Sequence, residues 1–402
     1  MPDPMLPYLR HETWEFPVHH MRGGTSTGLV IDERIAPAQP ELREELLRHL
    51  MGVPLLGEAP GNRQTTGLGR GPATSNKVFF ASMEDSPDGP RLVSTLAQLA
   101  ADHGRIDWGV NCGNMSSALQ LWALHTGQVP ADAPGPHELQ IRNTNTGVLT
   151  TSRMVTGADG RFETAEIPGV MGAHPAVDLF LHHPAGAKTG KLLPTGKPVD
   201  VIGGFQVSCV DVAVPMVIMM ASEFGKTAHE SIRELAADAA FLEKLKTVWV
   251  EAGLLMGLIK KDGTPMTRED IGRSETVPKV CIVGEPSGQG DISVRYFTPQ
   301  TVHASMAVSG GCCLAAATLV TGSVAHRLAP KRALQTEAEI RVGIENPAGL
   351  LCTTVVARME DGLPVIRSAA YQRSAQVLLA GHVPLYAASE ALRAALGSSR
   401  RP

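Results

Sequence analysis

Two residues of this 402-residue chain join a reactive side chain to a local setting that suits proton transfer at carbon. Cys112 lies in Asn111–Cys112–Gly113–Asn114, directly ahead of a stretch with helical character. Unpaired N–H groups and the dipole at a helix start favour negative charge, which suits a thiol that must give up and regain a proton. Gly113 lets the backbone approach a ligand closely. The competing reading is a buried, inert cysteine, the ordinary fate of a free thiol. Lys77 follows Ser75 and Asn76 and enters the apolar run Val78–Phe79–Phe80. A lysine at the mouth of such a strand can be desolvated and lose its proton more easily, making a base for a C–H beside a carboxylate. The same placement also fits a solvated lysine at a strand end.

Anion sites accompany them. Arg22–Gly23–Gly24–Thr25–Ser26–Thr27–Gly28 is dense in donors. Arg22 can take a carboxylate bidentately, and the glycines expose backbone N–H groups. This is not the GxxxxGK[ST] loop of nucleotide-binding proteins. An ordinary turn would read the same way. Ser309–Gly310–Gly311 opens a second, alanine-rich helix, whose first N–H groups offer another anion site. Ser309 brings a hydroxyl and not a thiol, so the two turns are chemically unequal. His19–His20 and His182–His183 are adjacent pairs whose side chains point to opposite strand faces, so neither chelates one metal.

The elements that carry these residues read as short strands broken by glycine and proline turns. Pro40 to Met51 is an amphipathic helix, with Leu42, Leu46, Leu47 and Leu50 at helical spacing. Strands are expected at 77–82, 105–110, 141–156, 199–221 (two strands), 277–283, 291–296, 340–344, 351–358 and 364–371. Helices are expected at 114–125, at 227–258 with a break near Gly253, and from Ser309 to Val320. Residues 1–16 read as a loose leader. An internal echo runs through the chain. Cys112–Gly113–Asn114 leads into a helix ending Thr126–Gly127–Gln128–Val129, and Ser309–Gly310–Gly311 into one ending Thr321–Gly322–Ser323–Val324. A duplicated domain accounts for this, as does coincidence of common residues.

The bulk numbers exclude several classes. Apolar residues make up 43% and charged residues 19%, a globular balance with material for two domains. A net charge of -4, with no long basic run, gives no nucleic-acid surface. With 41 Gly, 29 Pro and 4% aromatic residues, the chain suits a turn-rich α/β fold. None of its six cysteines forms a CxxC pair, so reduced thiols in the cytoplasm are expected. The N-terminus lacks the apolar core of a signal peptide. The most apolar stretch, 207–221, is broken by Asp211 and Pro215 and falls short of the about 20 residues a membrane helix needs.

Taken in order, Met21 to Ser26, Ser75–Asn76–Lys77–Val78, Asn111 to Asn114, Thr189 to Gly196, Met256–Gly257–Leu258 and the Ser309 turn resemble the PrpF family, whose fold is similar to diaminopimelate epimerase. That family includes 2-methylaconitate isomerases, 4-oxalomesaconate tautomerases and methylitaconate Δ-isomerases. The resemblance runs from about Met21 to about Val383. It implies two similar domains, each a rolled sheet around a central helix, here residues 17–198 and 199–385, with 1–16 and 386–402 as extensions. It implies no metal and no organic cofactor. Lys77 and Cys112 match the family's acid–base pair. Arg22, Gly23, Gly24, Thr25, Ser26, Ser75, Asn76, Gly113, Asn114, Met115, Ser309, Gly310 and Gly311 are expected to bind a small unsaturated di- or tricarboxylic acid. The second cysteine of the epimerases falls at Ser309, which argues for an allylic proton shift over a two-thiol racemase. Asn346–Pro347–Ala348–Gly349 stands where relatives have His-Pro-Ser-Gly, and Thr27 and Asn76 replace a common Lys and Ser, so the acid bound can differ in size or carboxylate number. Two other readings remain at this point. One is an epimerase using Cys312 or Cys313. The other is a non-catalytic accessory to an aconitase-like iron–sulfur hydratase. Such folds offer sheet surface for a homodimer, although no apolar stripe here compels one.

Overall fold

In the computed structural model, residues 5–71, 75–130, 133–260, 262–332 and 334–398 are described. The chain divides into two compact units that interleave in sequence. Unit 1 comprises Met1–Glu166, Val170–Leu179 and Arg373–Pro402, and unit 2 comprises Ile167–Gly169 and Phe180–Gln372.

Unit 1 begins with a hairpin, β1 (Thr13–Gly23) and β2 (Ser26–Asp32), turned by Gly24 in the left-handed region, φ 53°. Helix α1 (Pro40–Met51) then crosses to β3 (Lys77–Glu84), parallel to β2, and β4 (Arg91–Leu99) runs back antiparallel. Pro40 opens α1 at a position with no N–H to lose, and Gly52, φ 67°, closes it. A single helical turn, Gly113–Ser116, and helix α2 (Ala118–His125) cross to β5 (Gly135–Asn143), parallel to β4 and followed by antiparallel β6 (Leu149–Thr156). Strand alternation sorts the two faces of this sheet. Trp14, Phe16, Val18, Leu29, Ile31, Val78 and Phe80 pack on Leu46, Leu47 and Leu50 of α1. The opposite face packs on the Gly113–Ser116 turn and α2, whose residues Ala118 to Trp122 are buried. Unit 1 is thus a sheet rolled around one buried helix.

Unit 2 repeats this order of pairings. Hairpin β7 (Phe205–Val212) and β8 (Val214–Met220) is followed by α3 (Ala239–Leu255) and β9 (Lys279–Gly284), parallel to β8. Antiparallel β10 (Ile292–Thr298), helix α4 (Val308–Ala317), parallel β11 (Ala338–Asn346) and antiparallel β12 (Gly349–Glu360) complete the series. Val280, Ile282 and Phe297 face Leu245, Val248 and Trp249 of α3. Helix α4, buried from Gly310 to Ala317, packs against β7, β8 and β12 and is the central helix of unit 2. The α/β architecture expected from the sequence is therefore present in both units.

Several boundaries differ from expectation. The break in the 227–258 stretch falls at Asp238, whose carboxylate caps α3 by accepting from Phe241 N–H at 3.0 Å. Gly253 stays helical because its bare Cα admits Ile271, whose Cγ2 would lie 2.9 Å from a Cβ there. The strand expected at 105–110 is reduced to Ile106–Asp107, and 199–221 holds three strands instead of two. The leader is not loose from Tyr8 on, since Trp14 and Phe16 belong to the core of unit 1. The last strand, β13 (Leu363–Pro384), far outruns 364–371. It pairs with β12 up to Tyr371, and from Ala375 to Pro384 it pairs with β1. The C-terminal helix α5 (Glu390–Ser398) then buries Leu392 and Leu396 beside α1. Among the described residues no helix is long and apolar enough to cross a membrane.

Candidate active site

The Asn111–Cys112–Gly113–Asn114 motif folds as a capped helical turn in unit 1. Cys112 is extended, φ -131° and ψ 100°, and its Sγ accepts the N–H of Met115 at 3.5 Å. Asn111 Oδ1 accepts the Cys112 N–H at 2.7 Å, and Ser116 Oγ donates to the Cys112 carbonyl at 2.9 Å. Both ends of the cysteine backbone are therefore held, and the thiol stays half-exposed. Ser26 Oγ is 3.8 Å from Sγ, so a hydroxyl from β2 meets the thiol at the head of the turn.

Two glycines make this approach possible. A Cβ on Gly23 would lie 2.5 Å from Asn114 O and 2.9 Å from the Cα of Met115, and one on Gly24 would strike Asn114 Oδ1. Asn114 is clamped from both sides: its Nδ2 donates to Thr25 Oγ1 at 3.2 Å, and its Oδ1 accepts from Arg373 Nε at 3.0 Å. Arg373 is buried, and sequence reading missed it. Arg22 has a different task from the carboxylate clamp expected of it. Strand alternation sets it on the face away from Gly23. Its Nη1 donates to Gly24 O and Ser374 O at 2.9 and 3.0 Å, and its Nε to Gln376 Oε1 at 3.4 Å, leaving only Nη2 without a partner. Its guanidinium ties the Gly24 turn to β13.

Lys77 is the first residue of β3, buried, and paired in register with Gly28. Gly28 is obligatory there, because a Cβ would collide with Lys77 O. Burial lowers the lysine pKa below 10.5, while the Cys112 charge pulls it the other way. Amine and thiol therefore interact electrostatically. Asn76 is fully buried, with Oδ1 accepting from Arg70 N and Nδ2 donating to Gln64 Oε1 and Gly71 O. It anchors the loop before β3 and so sets where Lys77 begins. Ser75, beside it, is half-buried. Of the expected residues, unit 1 brings together Cys112, Lys77, Thr25, Ser26, Gly113, Asn114 and Met115.

Ser309, Gly310 and Gly311 lie in unit 2. They form the first turn of α4, whose N-cap Ala307 supplies no side-chain cap. Cys312 and Cys313 follow, fully buried, and burial pushes the Cys313 thiol well above its ordinary value while its Sγ lies 3.4 Å from Val210 O. A thiol sealed in the core reaches no substrate, so the second-thiol reading fails. The Thr189–Gly196 motif is a loop held by a residue that sequence reading did not single out. Asp211, fully buried, accepts at Oδ2 from Lys188 N, Thr189 N and Thr189 Oγ1 at 2.8, 2.8 and 2.9 Å. Asn346 accepts from Ser305 Oγ and Ala348 N–H, which fixes the turn between β11 and β12. His19 and His20 are both buried, with burial lowering each to about 4. Among the described residues no His, Cys, Asp and Glu cluster could hold a metal.

A thiol and a desolvated amine, set on a glycine-floored strand–helix junction, are groups of the class that acid–base chemistry at carbon uses. Comparisons narrow the class. The family model described as PrpF protein matches residues 14–386, and the chain belongs to that family. It is 33% identical over 368 residues to the 4-oxalomesaconate tautomerase of Pseudomonas putida, covering 90% of this chain and 94% of the relative. It is 31% identical over 370 residues to the (4E)-oxalomesaconate Delta-isomerase of a Novosphingobium species, covering 91% and 96%. The crystal structure of a methylitaconate-delta-isomerase superposes with a TM-score of 0.77 at 26% identity, covering 96% and 97% of the two chains. The protein is an isomerase of this family, and the accessory reading is not favoured.

Proposed function

We propose that the protein shifts a double bond in a small unsaturated di- or tricarboxylic acid of the methylaconitate, oxalomesaconate or methylitaconate kind, with Cys112 and Lys77 exchanging the protons. The observation that carries this is the buried amine of Lys77 in electrostatic contact with the capping thiol of Cys112. One member of the pair removes a proton from the carbon next to the conjugated system. The electron pair of that C–H bond moves into the π system as a dienolate. The other member delivers a proton to the distal carbon, and the π bond settles one position along. One proton leaves and one arrives, no electron is lost, and the pair re-equilibrates its own proton before the next turnover. The N–H groups of Gly113 and Asn114, with Thr25 and Ser26, face the charge that develops on the carboxylate. A reduced, cytoplasmic setting suits a half-exposed thiol that must stay free.

The test is proton NMR in deuterated buffer, with the purified chain and a panel of these acids. Wild-type protein should put deuterium into an allylic position of one acid as its isomer accumulates, and Cys112→Ser should slow this by about 100-fold or more. Full activity in Cys112→Ser would remove the thiol from the mechanism.

A further inference from the structure

Helix α2 is apolar from Ala118 to Leu124 with one exception, Gln120, which is only 1% exposed. Its Nε2 donates to the His137 carbonyl at 2.7 Å. That contact settles which end of the amide is nitrogen, because two oxygens would not face each other there. Oε1 is therefore a true acceptor, and it is buried without a partner. An apolar side chain of the same size would avoid the cost of such an orphan, so packing does not account for a glutamine here. The space beside it follows from sheet register. Parallel β4 begins at Arg91, opposite Gln140, and Pro90 ahead of it has no N–H with which to extend the ladder. Among the described residues, 135–139 of β5 consequently pair with β6 alone.

A cavity of about 480 Å³ lies at that edge, within unit 1, between α2 and residues 137–140 of β5. Leu124, Val129 and Leu139 supply apolar wall. The polar groups that line it accept more than they donate. Besides Gln120, Gln140 Oε1 and His137 Nε2 are buried without partners. The histidine nitrogen accepts when its ring carries the proton on Nδ1. Charge at the cavity is negative as well. Glu138 is answered by Arg153 at 2.9 Å, but among the described residues nothing pairs with Asp88, and no lysine or arginine lines the space. Acceptors, an uncompensated carboxylate and a hydrocarbon wall together suit a positively charged N–H donor on a short apolar body. An ammonium has three N–H donors, as many as there are unpartnered atoms.

We propose that this cavity binds a small primary amine in its ammonium form, with Gln120 Oε1 as the buried acceptor, Asp88 as the counter-charge, and Leu124, Val129 and Leu139 around the hydrocarbon. The acid–base pair uses none of these residues, so the site does not depend on the isomerase reading. Calorimetric titration of the full-length chain with n-pentylamine at neutral pH, where it is an ammonium, tests the site, and 1-pentanol serves as the uncharged isostere. Wild-type protein should bind pentylammonium saturably with a Kd of about 1 mM or tighter, and 1-pentanol at least about 10-fold more weakly. Gln120→Met keeps the side-chain volume and removes the acceptor, and should weaken pentylammonium about 10-fold. It also gives up the bond to His137 O, so Asp88→Asn, on an exposed loop, is the second variant. That change should weaken binding about 2- to 5-fold, and the difference should shrink as salt is raised. Absence of saturable binding would leave the cavity to water and overturn the site. Equal affinity for pentylammonium and 1-pentanol would overturn the ammonium, and binding untouched by either substitution would put the amine elsewhere on the protein and overturn the site as well.

Discussion

Replacing Gly23 with alanine tests whether the position of the thiol is set by backbone contact. A methyl at Gly23 would lie 2.5 Å from Asn114 O, and 2.9 Å from both the Cα and the O of Met115. All three are backbone atoms, so no side chain can swing aside. Ordinary contact begins near 3.4 Å, so the Cys112 turn must retreat from β1 by about 3.4 − 2.5 = 0.9 Å. Overpacking of this kind costs about 1–3 kcal/mol, and a 1 Å misplacement of reacting groups costs on the order of 100-fold in rate. Gly23→Ala should therefore lower kcat by about 100-fold and Tm by several degrees. Gly381→Ala is the control, because a Cβ there meets nothing within 4 Å in a strand of the same unit. Exchange kinetics and thermal unfolding on both variants supply the numbers. A Gly23→Ala protein within threefold of wild-type kcat would refute the reasoning, since the turn would then tolerate a shift that geometry forbids.

Three more expectations follow from the same contacts. Burial disfavours the ammonium of Lys77, so its neutral, basic form arrives at lower pH; a limb of kcat/KM should rise through a pKa below 10.5 and vanish in Lys77→Arg, and a limb at or above 10.5 would contradict this. Arg373→Ala removes the 3.0 Å donor from Asn114 Oδ1, should cost about 1.5–3 kcal/mol and should lower kcat more than it raises KM; unchanged kcat would show that Asn114 holds the turn without it. Asp211→Ala leaves three donors of the 188–189 backbone and Thr189 side chain without their acceptor and should cost about 2–4 kcal/mol in urea unfolding, which an unchanged midpoint would disprove.

What was legible in the sequence was local. The leucines of α1 recur at helical spacing between a proline that opens a helix and a glycine that closes it, and the helix runs from Pro40 to Met51 as read. Cys112 was legible because a capping residue, a glycine and an apolar helix are neighbours in the chain. Arg373 was not, because Asn114 lies 259 positions away and a bond across that distance leaves no periodic mark; Asp211 and Gln64 hold irregular loops 22 and 12 positions away, where no helical or strand period links the partners. Gly253 misled for a related reason: glycine near a helix end signals a stop, but here Ile271 needed the space. The duplication was read from the echo of two turns, yet it is written more fully in the strand pairings. Lys77 and Lys279 correspond through register, and nothing in their flanking residues, Ser75–Asn76 against Val277–Pro278, announces it.

Strand β13 has a consequence for how the protein comes into being. Arg373 holds Asn114 from 259 positions downstream, and Ser374 receives Arg22 from 352. At about 5–20 residues per second, the ribosome needs tens of seconds to make the stretch between Asn114 and its clamp. Through that time the nascent chain already carries its thiol and lysine, but the turn that aims the thiol has one wall missing. On the mechanism proposed above, a chain cut short before Arg373 lacks one wall of the turn that places Cys112, and its chemistry waits for that strand to be made.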